Sequence, residues 1–112
     1  MLRPAHISLG VSDLDASIRF YRDVLELPVE RDGDIARIAL DDFLIVLELA
    51  PPTARGKFHF GFRVNSREDV DRWAARIREA GGVVSGPSDH DGARSMFFND
   101  PDHFKIEIYS AH

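Results

Sequence analysis

One six-residue strand pattern occurs twice in this chain, and each copy opens a longer pattern that also repeats. The first copy is His6-Ile7-Ser8-Leu9-Gly10-Val11; the second is His59-Phe60-Gly61-Phe62-Arg63-Val64. Successive side chains of a strand point to opposite faces. His6, Ser8 and Gly10 therefore share one face, and Ile7, Leu9 and Val11 the other. His59, Gly61 and Arg63 repeat the first face; Phe60, Phe62 and Val64 repeat the second. A histidine among small residues, backed by an apolar face, is placed over a cavity. Two such histidines in matching positions point to one shared site.

Helix signals follow each strand. Ser12 reads as an N-cap, with Asp15 three residues on to favour the positive end of a helix. Leu14, Ile18, Tyr21 and Leu25 form an apolar stripe, with Phe20 and Val24 alongside, and Pro28 stops it. A turn at Asp32-Gly33-Asp34, a strand from Ile35 to Leu40, a turn at Asp41-Asp42 and an apolar strand from Phe43 to Leu49 complete the first repeat. That last strand holds one charge, Glu48. The run from Pro51 to Gly56 reads as a linker.

In the second repeat Ser66 with Asp69 is the cap signal. Val70, Trp73, Ala74 and Ile77 make the stripe, and Gly81-Gly82 ends it. Val83-Val84 reads as a short strand, Ser85 to Gly92 as a loop, and Arg94 to Phe98 as a strand. Asn99-Asp100-Pro101-Asp102 is a turn, and the closing strand from Phe104 to Tyr109 holds Glu107. The order strand, helix, two or three strands thus appears twice, in modules of about 1–52 and about 57–112. The repeat maps His6 onto His59 and Glu48 onto Glu107. Strands outnumber helices, so the expected fold is α+β, with helices covering the more apolar strand face.

A chain of 112 residues suits one domain and buries a core without disulfides or structural metals. It has no cysteine, which removes disulfides, thiolate metal sites and cysteine nucleophiles and fits a reducing compartment. The formal net charge of −5 and the absence of a basic stripe argue against nucleic acid. No apolar run approaches a membrane span. Met1-Leu2-Arg3-Pro4-Ala5 lacks the apolar core of a signal peptide. A cytoplasmic protein that binds a small molecule is expected.

Each module begins with a histidine and ends with a glutamate. Glu48 shares its strand face with Leu44 and Val46, which is not an open solvent face, and an unpaired buried carboxylate is costly. Two imidazoles and two carboxylates converging would be satisfied by a divalent cation. Nitrogen and oxygen donors without sulfur suit zinc, nickel, manganese, cobalt or iron. The blander readings are ion pairs of Glu48 with Arg37 or Arg63, a solvated loop at Asp89-His90-Asp91, and core roles for Phe20, Tyr21 and Trp73. Arg72, Arg76, Arg78 and Glu79 read as a solvated helix face, and His112 as a frayed terminus.

Taken in order, these pieces resemble the vicinal oxygen chelate superfamily, which includes glyoxalase I, extradiol dioxygenases and the bleomycin- and fosfomycin-resistance proteins. The resemblance rests on His6 with Val11-Ser12-Asp13-Leu14, on Ser17, Phe20 and Tyr21-Arg22-Asp23-Val24-Leu25, and on Val46-Leu47-Glu48-Leu49. It continues through His59, Ala80-Gly81-Gly82, Asp100-Pro101-Asp102 and Lys105-Ile106-Glu107-Ile108. It implies two βαβββ modules whose curved mixed sheets enclose a metal-binding cleft. It carries over His6, His59 and Glu107 as metal ligands, with Glu48 in the fourth position that glyoxalase I fills with glutamate.

The implied activity is a metal-dependent, glyoxalase-like lyase or isomerase acting on a small substrate with vicinal oxygens. The metal polarises the oxygens, and Glu48 or Glu107 moves a proton. Arg63, Lys105 and Tyr109 share the site faces and are the expected substrate contacts, Arg63 or Lys105 for an anionic group, with an outward-facing salt bridge as the other reading of these two. The alternatives are an extradiol-type dioxygenase and a drug-binding protein of the bleomycin-resistance kind. A homodimer is expected, as in small members of this family that share the metal site between chains. Gly10 stands where glutathione-dependent glyoxalase I carries an arginine, and Pro51-Pro52 follow Glu48, so glutathione is not carried over. His103 stands where the family often has glycine, a position that calls for positive φ.

Overall fold

Alternation of apolar and polar residues decides the first half of the chain, as the computed structural model shows for residues 1–53 and 56–111. Strand β1 (His6–Val11) lies parallel to β4 (Phe43–Leu49). Strand β3 (Ile35–Leu40) lies antiparallel to β4, and a three-residue strand β2 (Glu30–Asp32) edges β3. The order is β1-β4-β3-β2. Leu9, Val11, Ile45, Leu47, Ala36 and Ile38 are buried on one face of this sheet. Helix α1 (Leu14–Arg19) packs there against β3 and β4. The opposite face carries His6, Ser8, Gly10, Val46 and Glu48.

Helix α1 is capped by Asp13, whose carboxylate accepts from the Ala16 amide at 3.0 Å, and not by Ser12. The cap falls one residue later because Asp13 is still extended and Leu14 is the first residue to turn inward. The helix then widens into a π-helical segment, Phe20–Val24, with Leu25 N–H donating to the Phe20 carbonyl at 3.1 Å. Leu14, Ile18, Tyr21 and Leu25 are all buried, as their spacing predicts. The helix ends at Glu26, which adopts φ +58°, before Pro28 is reached.

The second half has the same plan. Strand β5 (His59–Arg63) lies parallel to β8 (Lys105–Ser110), β7 (Ala93–Asn99) is antiparallel to β8, and β6 (Ser85–His90) edges β7. The order is β5-β8-β7-β6. Helix α2 (Arg67–Glu79) covers β6, β7 and β8, burying Val70, Ala74 and Ile77 against Met96, Ile106 and Ile108. Ser66 caps it by accepting from the Asp69 amide at 3.2 Å. Gly81 at φ +91° ends it, and Gly82 N–H donates to the Ile77 carbonyl at 2.9 Å.

Three expectations for this half change. Val83-Val84 is not a strand, whereas Ser85–His90, expected as a loop, is one. Its Gly, Pro, Ser and Asp composition is tolerated because it is an edge strand, with its register shifted between Ser85 and Ser88. Trp73 is only half-buried, with the Arg76 guanidinium 6.0 Å from its ring centroid. Within the expected linker, residues 54 and 55 lie outside the described residues, as does His112.

The chain divides into two units, Met1–Thr53 and Ala54–His112. The turn before β8 is built on Asp100, buried to 4% exposure. Its Oδ1 accepts from the amides of Asp102 and Phe104, both at 2.9 Å. His103 takes φ +69°, the left-handed conformation expected of it.

Candidate metal centre

Strand register brings His59 and Glu107 together. His59 pairs across the ladder with Lys105, and Glu107 with Gly61, so histidine and glutamate lie two residues apart on one face of adjacent parallel strands. A Cβ at Gly61 would stand 3.0 Å from the Glu107 carbonyl oxygen and 3.2 Å from Glu107 Cβ. The missing side chain at Gly61 leaves the Glu107 carboxylate room to turn toward His59. Nε2 of His59 and Oε1 of Glu107 are 3.6 Å apart.

The other imidazole nitrogen settles which tautomer fits. Nδ1 of His59 lies 3.0 Å from the Lys57 carbonyl oxygen. A carbonyl only accepts, so Nδ1 carries the proton in the neutral ring, and Nε2 presents a lone pair to the carboxylate. Two lone-pair donors at 3.6 Å are too far apart for a hydrogen bond. Two donors at roughly 2.1 Å from a tetrahedral cation stand about 3.4 Å apart. A backbone carbonyl holding the far nitrogen is also the usual outer partner of a metal-bound histidine. This donor pair fits a divalent cation. Among the described residues, no group of three or more histidine and acidic side chains gathers into a ready metal cage.

Phe97, which sequence reasoning did not single out, forms the wall of this half-site. It pairs with Glu107 across the ladder, and its ring meets the His59 ring edge-on at 5.4 Å between centroids. Its signal in the sequence was obscured by the run Met96-Phe97-Phe98, which does not reveal which residue faces the core. Met96 and Phe98 do; Phe97 does not. Lys105, the ladder partner of His59, also meets Phe97, with Nζ 5.0 Å from the ring centroid. Lys105, Glu107 and Tyr109 are half-buried on one face of β8 while Ile106, Ile108 and Ser110 are buried on the other. Arg63 stands opposite Tyr109 and is exposed.

The first unit does not copy this arrangement. His6 pairs with Leu44, Ser8 with Val46 and Gly10 with Glu48. Superposing the two ladders on their histidines sets Val46, not Glu48, in the place of Glu107. Glu48 falls in the place of Tyr109. The sequence repeat that maps Glu48 onto Glu107 is therefore off by one pleat. Glu48 lies four residues from His6 in register, about 13 Å along the strand at roughly 3.3 Å per residue. It is exposed and forms no ion pair with a described residue. Arg37, an expected alternative partner, is 3.5 Å from Asp32 instead. A Cβ at Gly10 would lie 2.9 Å from the Pro51 carbonyl oxygen, so the Ala50-Pro51 segment fills the space a larger side chain would need.

The family model for the Glyoxalase/Bleomycin resistance protein/Dioxygenase superfamily matches residues 3–108. The chain belongs to this superfamily. Two relatives are a glutathione transferase, FosA, of Serratia marcescens and a metallothiol transferase, FosB, of Staphylococcus epidermidis. The first is 30% identical over 93% of this chain and 77% of its own length. The second is 30% identical over 94% of this chain and 79% of its own. In three dimensions the chain is similar to the fosfomycin resistance protein FosX of Listeria monocytogenes. That likeness has a TM-score of 0.86, covers 100% of this chain and 95% of the other, and at 21% identity speaks for the fold alone. The superfamily fold is thus the α+β arrangement described above, two four-stranded mixed sheets each carrying one helix. No helix among the described residues is long and apolar enough to cross a membrane.

Proposed function

We propose that this protein is a metal-dependent enzyme that acts on a small substrate through a pair of vicinal oxygens. The observation that carries this is the His59–Glu107 pair, with an imidazole lone pair facing a carboxylate and the imidazole proton held by Lys57. His59 and Glu107 would hold the cation, and His6, the matching histidine of the other repeat, would be the third ligand. A bound divalent cation supplies Lewis-acid polarisation of the substrate oxygens. Lys57 holds the His59 ring in orientation, and Phe97 shields one side of it from water. Arg63 and Tyr109 lie further along the same face and contact substrate.

In the glyoxalase-like lyase or isomerase reading, a carboxylate removes a proton from the carbon next to the polarised oxygen and returns it to the neighbouring carbon. Glu107 would be one candidate for that base. Glu48, exposed and without an ion-pair partner, serves on the substrate side. A second reading is thiol transfer to a small oxygenated substrate, which two relatives named as a glutathione transferase and a metallothiol transferase support. In either case a homodimer in the cytoplasm is the expected form.

Elemental analysis of the purified protein, with thermal melting in added zinc, nickel, manganese or iron, tests the reading. Binding at a hundredfold excess over Kd raises Tm by roughly 5–15 °C. No metal in the protein and no shift with any of the four would remove it. Turnover of a thiol with methylglyoxal, against turnover of a thiol with a small epoxide, separates the two chemistries.

A further inference from the structure

We propose that the cleft beside Phe97 and Lys105 binds an apolar part of the substrate that ends in a carboxylate, with Lys105 as its counter-ion. The reaction this subsite serves rests on the metal-enzyme reading above. The evidence for the subsite itself is separate and lies wholly within the second unit.

The cleft has a volume of about 250 Å³ and lies between the Val83–Ser85 segment, Phe97-Phe98-Asn99 and Lys105. That is below the roughly 300–1,000 Å³ of a pocket for a drug-sized ligand, so it takes a fragment of about one ring. Val83, Val84, Phe97 and Phe98 give it an apolar part, and Ser85, Asn99 and Lys105 complete its lining. Lys105 is half-buried, and no described carboxylate lies within ion-pair distance of it. Glu107, two residues away on the same strand face, directs Oε1 toward His59 instead. The Lys105 ammonium lies against the Phe97 ring. It is therefore available to a carboxylate at the edge of the cleft.

Two polar neighbours extend the site. Asn99 pairs with Lys105 across the ladder, and Ser85 pairs with Phe97. A single cation with an amide and a hydroxyl nearby suits a monoanion and disfavours an amine. Phe97 is the shared element, in contact with both His59 and Lys105. A substrate whose vicinal oxygens reach the His59–Glu107 pair can lay its apolar tail over Phe97 and set its carboxylate against Lys105. Lys105, Phe97 and Val83 are then specificity-determining residues.

The test uses isotope-labelled full-length protein in its metal-free form, with phenylacetate and its neutral analogue phenylacetamide as probes followed by NMR. Phenylacetate is expected to shift the amides of Val83, Val84, Phe97 and Lys105 and to bind about tenfold tighter than phenylacetamide. Lys105→Gln should abolish that tenfold preference while leaving phenylacetamide binding and the dispersed spectrum unchanged. Val83→Ser should weaken both probes. Equal affinity for acid and amide, shifts lying away from the cleft, or no binding of either probe would each overturn the proposal. A zinc titration of the same sample separates the two readings. Zinc binding without phenylacetate binding removes the subsite alone; phenylacetate binding without zinc binding removes the metal enzyme alone.

Discussion

His59 Nε2 and Glu107 Oε1 face each other at 3.6 Å while His59 Nδ1 is held by the Lys57 carbonyl at 3.0 Å. Both removable groups of this pair bear on cation binding, but only one bears on ring orientation. His59→Ala should lower zinc affinity by more than about 100-fold, beyond the 10- to 100-fold typical of outer partners. Glu107→Gln should do the same while keeping the shape of the site. Isothermal titration of metal-free protein measures both. Affinities within about threefold of wild type would rule out this pair as ligands.

Glu48 provides the contrasting case. Its register places it beside Gly10, one pleat beyond the position that corresponds to Glu107. Glu48→Gln should therefore leave zinc affinity within about threefold of wild type, a change of under roughly 0.7 kcal/mol. Its effect should fall on turnover. A loss of metal affinity as large as that of Glu107→Gln would return Glu48 to the coordination shell.

Gly61 tests whether close packing sets the pair. A Cβ there would stand 3.0 Å from the Glu107 carbonyl oxygen and 3.2 Å from its Cβ. Gly61→Val is expected to destabilise the fold by about 1–3 kcal/mol through overpacking. It should also displace the Glu107 side chain, so zinc affinity falls further than stability alone explains. Urea unfolding beside zinc titration separates the two effects.

Asp100 is a structural residue despite its carboxylate and its place in a turn next to the site strand. Asp100→Ala leaves two backbone amides without their acceptor and should cost about 2–4 kcal/mol. Asp100→Asn retains an oxygen in the same place and should cost less than half of that. Urea midpoints at constant slope would show the difference.

The acid limb of stability should report on Asp89. Hydrogen bonding from Arg94, helped by the charge of Arg67, holds its carboxyl below the usual range. A depressed folded value means the stabilisation is present above the unfolded pKa, near 3.8, and fades as pH falls through the lower folded value. Wild type should therefore melt higher than Asp89→Asn at pH 6, and the gap between the two melting temperatures should narrow as pH falls below 3.8. A gap that persists unchanged at pH 2.5 would mean the charge on Asp89 is not what stabilises.

Local patterning carried most of the fold. Strand alternation placed β1, β3 and β4 to the residue, and the spacing of Leu14, Ile18, Tyr21 and Leu25 placed a buried helix stripe. These are properties of neighbouring residues, and a 2.0 or 3.6 period expresses them directly. The edge strand Ser85–His90 was hidden because its pairing comes from β7 rather than from its own composition.

The histidines and glutamates were legible as a repeat of residue types. What only the tertiary structure decided was their register. Sequence spacing cannot count the pleats between strands that are far apart in the chain, and one two-residue step separates Glu107, 3.6 Å from its histidine, from Glu48. Phe97 followed the same rule. An unbroken apolar run does not state which of its members turns from the core, and pairing of β7 with β8 turned Phe97 toward His59 and Lys105.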